Sequence, residues 1–138
     1  LIIGFTKAIE LSVLNQTTNS TRLKNYRDYV LKGILENNSQ IIINGSLENR
    51  LPHNLNITVS GVSGSRLHKA LKPKIICSSA SACSNGRPSH VLLALGRTFR
   101  EAEASIRLSI GLMTTIDDIE RTVEIMSSTI SNLRNKSQ

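Results

Sequence analysis

The stretch Asn54-Leu55-Asn56-Ile57-Thr58-Val59-Ser60 decides the fold class. Apolar and polar residues alternate with a period of two, the pattern of a strand that buries one face only. A second stretch, Ile106-Arg107-Leu108-Ser109-Ile110, repeats it. Ile41-Ile42-Ile43, closed by the turn pair Asn44-Gly45, and Ile75-Ile76-Cys77 read as two further short strands. Arg50-Leu51-Pro52 is a connection, because Pro52 forces its predecessor out of helical geometry.

Helical periodicity surrounds these strands. Ile2, Phe5, Ile9 and Val13 form one stripe, a polar segment from Asn15 to Thr21 interrupts it, and Leu23, Tyr26, Val30, Ile34 and Leu35 form another. This predicts two helices. Short helices are expected over Ser65–Leu71, Pro88–Leu95 and Phe99–Ala104. Ile116, Ile119, Val123, Met126, Ile130 and Leu133 predict the last helix, capped by Thr114 or Thr115 with Asp117 and Asp118 in its first turn. The chain therefore reads as an α+β two-layer domain, a short, mostly antiparallel sheet covered by helices.

Composition narrows the function. The 138 residues carry a formal charge of +7, yet aromatics are only 3%, so no base-stacking surface for single-stranded nucleic acid is expected. No apolar run approaches the roughly 18 residues that a membrane helix needs. Asn-x-Ser/Thr sequons begin at Asn15, Asn19, Asn37, Asn44, Asn56 and Asn135, an excess over the roughly two or three that chance predicts. Asn56 lies in a strand, a poor place for a glycan. The chain begins with Leu1 and has no basic leader, which reads as a piece of a longer protein cut within a helix.

Few side chains have reactive potential. Cys77, Cys83, His53, His68 and His90 show no metal-ligand spacing, and no phosphate-binding glycine pattern occurs. Cys83 sits in the small-residue loop Ser78-Ser-Ala-Ser-Ala-Cys-Ser-Asn-Gly-Arg-Pro88. It is either an idle surface thiol or one held as thiolate by the nearby Arg87 and His90. Cys77, after two isoleucines, reads as a small core residue. Arg107 projects from the strand face opposite the core, either as a solvated cation or as a bidentate carboxylate ligand. The basic excess from Arg66 through Lys69, Lys72, Lys74, Arg87, Arg97 and Arg100 to Arg107 is either a solvated face or an attraction for an acidic partner.

Several stretches together resemble one family. Asn44-Gly-Ser-Leu-Glu-Asn-Arg-Leu-Pro-His-Asn-Leu-Asn-Ile-Thr-Val59, Ser78-Ser-Ala-Ser-Ala-Cys-Ser84, Pro88-Ser-His-Val-Leu-Leu-Ala-Leu-Gly96 and Ser105-Ile-Arg-Leu-Ser-Ile-Gly-Leu-Met-Thr-Thr115 are similar, in order and spacing, to cysteine desulfurases of the NifS/IscS type. The resemblance implies the C-terminal part of a pyridoxal-phosphate enzyme of the aspartate-aminotransferase fold. Residues 1–20 would be a helix leading from a missing large cofactor domain. Residues 21–138 would be the small domain, with the active-site loop at 78–88.

The implied reaction converts L-cysteine to L-alanine and leaves sulfur on Cys83 as a persulfide, with Arg107 binding the substrate carboxylate. The implied setting is a cytoplasmic homodimer that delivers sulfur to a scaffold or carrier protein for iron–sulfur cluster assembly. No metal, nucleic acid or membrane is implied. The Schiff-base lysine has no counterpart here, since His68-Lys69 follows Arg66-Leu67, so this chain alone is expected to bind no cofactor and be inactive. Ala80 departs from the glycine of the motif, and the loop before Pro88 is about two residues shorter than in the long-loop branch, which reduces its reach. The alternative expectation is a non-catalytic domain that self-associates or binds a partner.

Overall fold

The sheet has strands β1 (Ile41–Ile43), β2 (Asn54–Val59) and β3 (Ser105–Ser109), ordered β1-β2-β3 with both pairings antiparallel. The computed structural model describes residues 1–78 and 87–136. Leu55 pairs with Leu108 and Ile57 with Ile106, so the apolar members of both alternating runs share one face. Helices α1 (Ile2–Asn37), α2 (Gly64–Leu71) and α5 (Ile116–Asn135) cover that face, burying Val30, Ile34, Leu67, Leu71, Met126 and Ile130. Full burial of such a side chain stabilises by about 1.5–3 kcal/mol.

The other face carries Asn56 opposite Arg107 and Thr58 opposite Ser105. Two short helices, α3 (His90–Ala94) and α4 (Phe99–Glu103), shield part of it, with Leu92, Ala102 and Ala104 buried there. Thr58 and Ser105 are fully enclosed yet satisfied, because their hydroxyls meet at 2.7 Å. The two-layer α+β architecture is as the alternation requires, with helices on the apolar face and a partly covered polar face.

Two expectations are corrected. The predicted helices over 1–14 and 23–35 are one 36-residue helix. The polar segment between them contains neither Gly nor Pro. Its side chains fold back onto the helix, Asn15 Nδ2 donating to the Leu11 carbonyl at 2.8 Å and Thr21 Oγ1 to that of Thr17 at 3.0 Å. A helix of that length spans about 54 Å, and its residues through Thr18 are exposed on every side. The second correction concerns Ile75-Ile76-Cys77, which is not a strand. Lys74 and Ile75 both donate to the Leu71 carbonyl at 2.8 Å, so the chain is still leaving α2 there. Only Ser78 pairs, as a single bridge to Arg107.

The other helices match their predicted positions to within a few residues. α5 starts with Thr115 and Asp118 in a reciprocal capping box. Cys77 packs against the core, and burial pushes its thiol above the usual range. Among the described residues, no helix is long and apolar enough to cross a membrane.

Candidate functional site

Ile106 and Leu108 commit to the core, so the intervening Arg107 stands on the polar face. Its backbone does more than hold the strand. Arg107 N donates to the Ser78 carbonyl at 2.7 Å, and Ser78 N donates to the Arg107 carbonyl at 3.0 Å. This two-way bridge fastens the first residue of the 78–88 loop directly beside the guanidinium. His68 Nε2 lies 3.2 Å from the Cys77 carbonyl and braces the same root. Cys83 and Ala80 lie outside the described residues.

A cleft of about 430 Å³ opens here, with Arg107, Asn56, Asn44, Ser46 and Arg50 on its walls and Leu92 of α3 closing one side. Its two arginines differ in what they have left to offer. Arg50 donates through Nε to the Ser46 carbonyl at 2.5 Å, through Nη1 to that of Asn54 at 3.4 Å, and through Nη2 to that of Asn44. Each of its three nitrogens thus donates into the β1–β2 connection and ties it into a wall, and burial, with Arg27 nearby, lowers its pKa. Arg107 is exposed and has no ion-pair partner among the described residues. Its fork is available to a carboxylate.

Asn44 anchors the floor. It is buried, and its Nδ2 reaches Asn56 Oδ1 at 2.8 Å, Thr58 Oγ1 at 3.0 Å and Ser105 Oγ at 3.2 Å. Asn56 is thereby oriented opposite Arg107. Sequence reasoning singled out Arg107 but missed Asn44, Asn56 and Arg50 as parts of the site. The Asn44-Gly45 turn, with Gly45 at φ 78°, was the available signal for a fixed bend. His53 lies in the β1–β2 connection and His90 at the start of α3. No group of His, Cys, Asp and Glu among the described residues is arranged to hold a metal.

The pyridoxal phosphate implied by the sequence resemblance needs an amine for its aldehyde, a ring-stacking side chain and an acid for its pyridine nitrogen. Among the described residues, the cleft walls carry no lysine, no aromatic residue and no carboxylate. The described residues do not fit that group by themselves, and what the cleft presents is the exposed guanidinium of Arg107.

Comparisons with known proteins bear on the family and the fold. The sequence model of the aminotransferase class-V family matches residues 1–122. The cysteine desulfurase IscS of Methylobacillus flagellatus is 41% identical over 135 residues, which cover 96% of this chain and 33% of that protein. A solved NifS-like protein superposes with a TM-score of 0.81 at 24% identity over 96% of this chain and 33% of that one, a likeness of fold. The X-ray structure of a NifS-like protein from Rickettsia africae gives 0.76 at 26% identity, covering 93% of this chain and 33% of that one. The chain spans about a third of the length of the curated relatives it matches. By sequence match across most of its length, the chain belongs to the aminotransferase class-V family.

Proposed function

We propose that this chain is the small, substrate-gripping domain of a pyridoxal-phosphate-dependent cysteine desulfurase. The observation that carries the reading is the bridge between Arg107, whose side chain is exposed, and Ser78 at the root of the Cys83 loop. Arg107 holds the carboxylate of L-cysteine as a bidentate pair, assisted by the charge of Arg50 behind it. Cys83 is five residues beyond Ser78, so its tether reaches at most about 17 Å. That keeps its sulfur near a substrate held at Arg107.

In the overall reaction L-cysteine loses its sulfur and becomes L-alanine, while Cys83–SH becomes Cys83–S–SH, which balances every atom. The family implies pyridoxal phosphate for the intact enzyme, held by residues upstream of this chain, so the isolated chain is inactive. Residues 1–20 are the connecting helix, whose exposed Ile2, Phe5, Ile9 and Val13 lie against that upstream domain. Residues 21–138 are the small domain of a cytoplasmic homodimer that passes sulfur to a scaffold or carrier for iron–sulfur clusters.

The test uses the full-length enzyme. Arg107→Lys raises KM for L-cysteine by about 10–100-fold, as loss of a bidentate carboxylate contact does, with persulfide still forming at saturation. Cys83→Ser forms no persulfide detectable by mass. An unchanged KM, or a persulfide on another cysteine, would refute the assignment. The same exposed stripe on α1 favours one second reading, a domain that self-associates; a mass that rises with concentration in the isolated chain and no longer does so after Ile9→Lys would support it.

A further inference from the structure

Charge is distributed very unevenly along this chain. From Asn49 to Arg100 there is no Asp or Glu, while eight Lys or Arg occur. This stretch runs on either side of the 79–86 segment. Four of its cations fall within the twelve residues that precede Ser78 in the chain. Arg66 and Lys69 are exposed on α2, Lys72 continues its last turn as the C-cap, and Lys74 follows two residues later. Steps of three residues place Arg66, Lys69 and Lys72 within one third of the helix circumference. Leu67 and Leu71 occupy the opposite side and are fully buried. The packing of α2 on the core therefore turns its basic stripe outward.

No acid among the described residues pairs with Lys69, Lys72 or Lys74. At the other end of α2 Gly64 approaches the Glu103 carbonyl, and Glu101 there is committed to capping α4 through Thr98. Beside Lys74, Arg121 adds a further cation, and the carboxylate of Asp118 in the same cleft is engaged with Thr115.

We infer that Lys69, Lys72 and Lys74, with Arg66 beside them, form a docking face for an acidic protein surface, that of the partner which takes sulfur from Cys83. The inference rests on the desulfurase reading above and specifies the chemistry of its acceptor. That acceptor must bring a thiolate to the outer sulfur of Cys83–S–SH. Its attack forms the new persulfide and releases the Cys83 sulfur as thiolate. A cationic face at the loop root steers an acidic partner to this place and speeds its encounter more than it tightens the complex. A protein fits better than a nucleic acid: the face is only about two helical turns long and carries no aromatic side chain for a base to stack on.

The test measures binding of a fluorescein-labelled Glu-rich peptide to the 138-residue chain by anisotropy. A Gln-rich peptide of the same length and a single-stranded oligonucleotide of the same charge are the comparisons. Charge reversal by Lys69→Glu, Lys72→Glu and Lys74→Glu together weakens the Glu-rich peptide about tenfold at low salt, and about 0.3 M salt abolishes the difference. The same change of charge placed elsewhere, at Lys7, Lys24 and Lys136, weakens it less than about twofold. The corresponding Gln triple at 69, 72 and 74 gives an intermediate loss and guards against misfolding of the reversed form. Equal losses in the two triples, binding without salt dependence, or preference for the oligonucleotide would overturn the inference. In the full-length enzyme the 69/72/74 triple loads Cys83 from L-cysteine and discharges it to dithiothreitol at the unaltered rate. Failure to load in the unsubstituted enzyme would sink the desulfurase reading instead, so the two failures are separable.

Discussion

Gly64 is the position where the packing is least forgiving. It opens α2, and a Cβ built there would lie 1.7 Å from the Glu103 carbonyl oxygen and 2.6 Å from its carbon. Both neighbours are backbone, so no side chain can swing aside. Gly64→Ala must push α2 and the end of α4 apart by about 1.5 Å, and forced overpacking of this kind costs about 1–3 kcal/mol. The displaced segment also carries the Ala104 carbonyl, which accepts from Val59 N at 3.0 Å. Straining that bond adds about 1 kcal/mol, and the smaller unfolded-state entropy of alanine returns about 0.5 kcal/mol.

The net loss is about 2–3 kcal/mol, which for a domain of this size lowers Tm by about 7–10 °C. Urea unfolding followed by circular dichroism measures it. Gly4→Ala is the internal control, because nothing lies within 4 Å of its added Cβ. It should be neutral or slightly stabilising. If Gly64→Ala unfolds at the same midpoint as Gly4→Ala, the close approach of α2 to α4 is not a feature of the folded protein and the reasoning fails.

Two further outcomes are expected. Thr58→Val removes a buried hydroxyl that serves both Ser105 Oγ at 2.7 Å and Asn44 Nδ2 at 3.0 Å; the loss is about 1–3 kcal/mol by urea unfolding, and Ser105→Ala in that background should cost little more. An additive double variant would show that the three groups are not one network. Asp118 and Glu101 are held below their ordinary values of 3.8 and 4.5, chiefly by backbone hydrogen bonds from Thr115 and Thr98. A depressed carboxyl pKa contributes stability that is present above the unfolded value and lost as pH falls through the folded one. Stability therefore declines below about pH 4, and Asp118→Asn with Glu101→Gln flattens that decline; an unchanged acid slope in the double variant would contradict the capping boxes.

The sequence alone determined which residues face the core. Period-two alternation in 54–60 and 106–110 leaves a strand only one way to bury Leu55, Ile57, Ile106 and Leu108, and that choice puts Arg107 on the other side. The unbroken three- and four-residue stepping of α5, with Thr115 and Asp118 at its start, likewise needed no tertiary information. Local signals were insufficient elsewhere. Asn, Ser and Thr between residues 15 and 21 favour a break, yet the segment holds neither Gly nor Pro and stays helical, with Asn15 and Thr21 accommodated by bonding back to the preceding turn. Ile75-Ile76-Cys77 has the composition of a strand, but a strand also needs a neighbour with free backbone groups, and only Ser78 finds one.

The division of labour in the cleft was decided by tertiary structure. Alternation puts Arg107 on the polar strand face and Pro52 puts Arg50 in a connection, but neither pattern says which guanidinium is already engaged. The folding of the β1–β2 connection around Arg50 fills its donors with carbonyls from Asn44, Ser46 and Asn54, while Arg107 remains exposed beside Ser78. Hydrogen-bond capacity is finite, and which guanidinium is left to meet a carboxylate depends on how the β1–β2 connection folds around Arg50, bringing it carbonyls from four to six residues away.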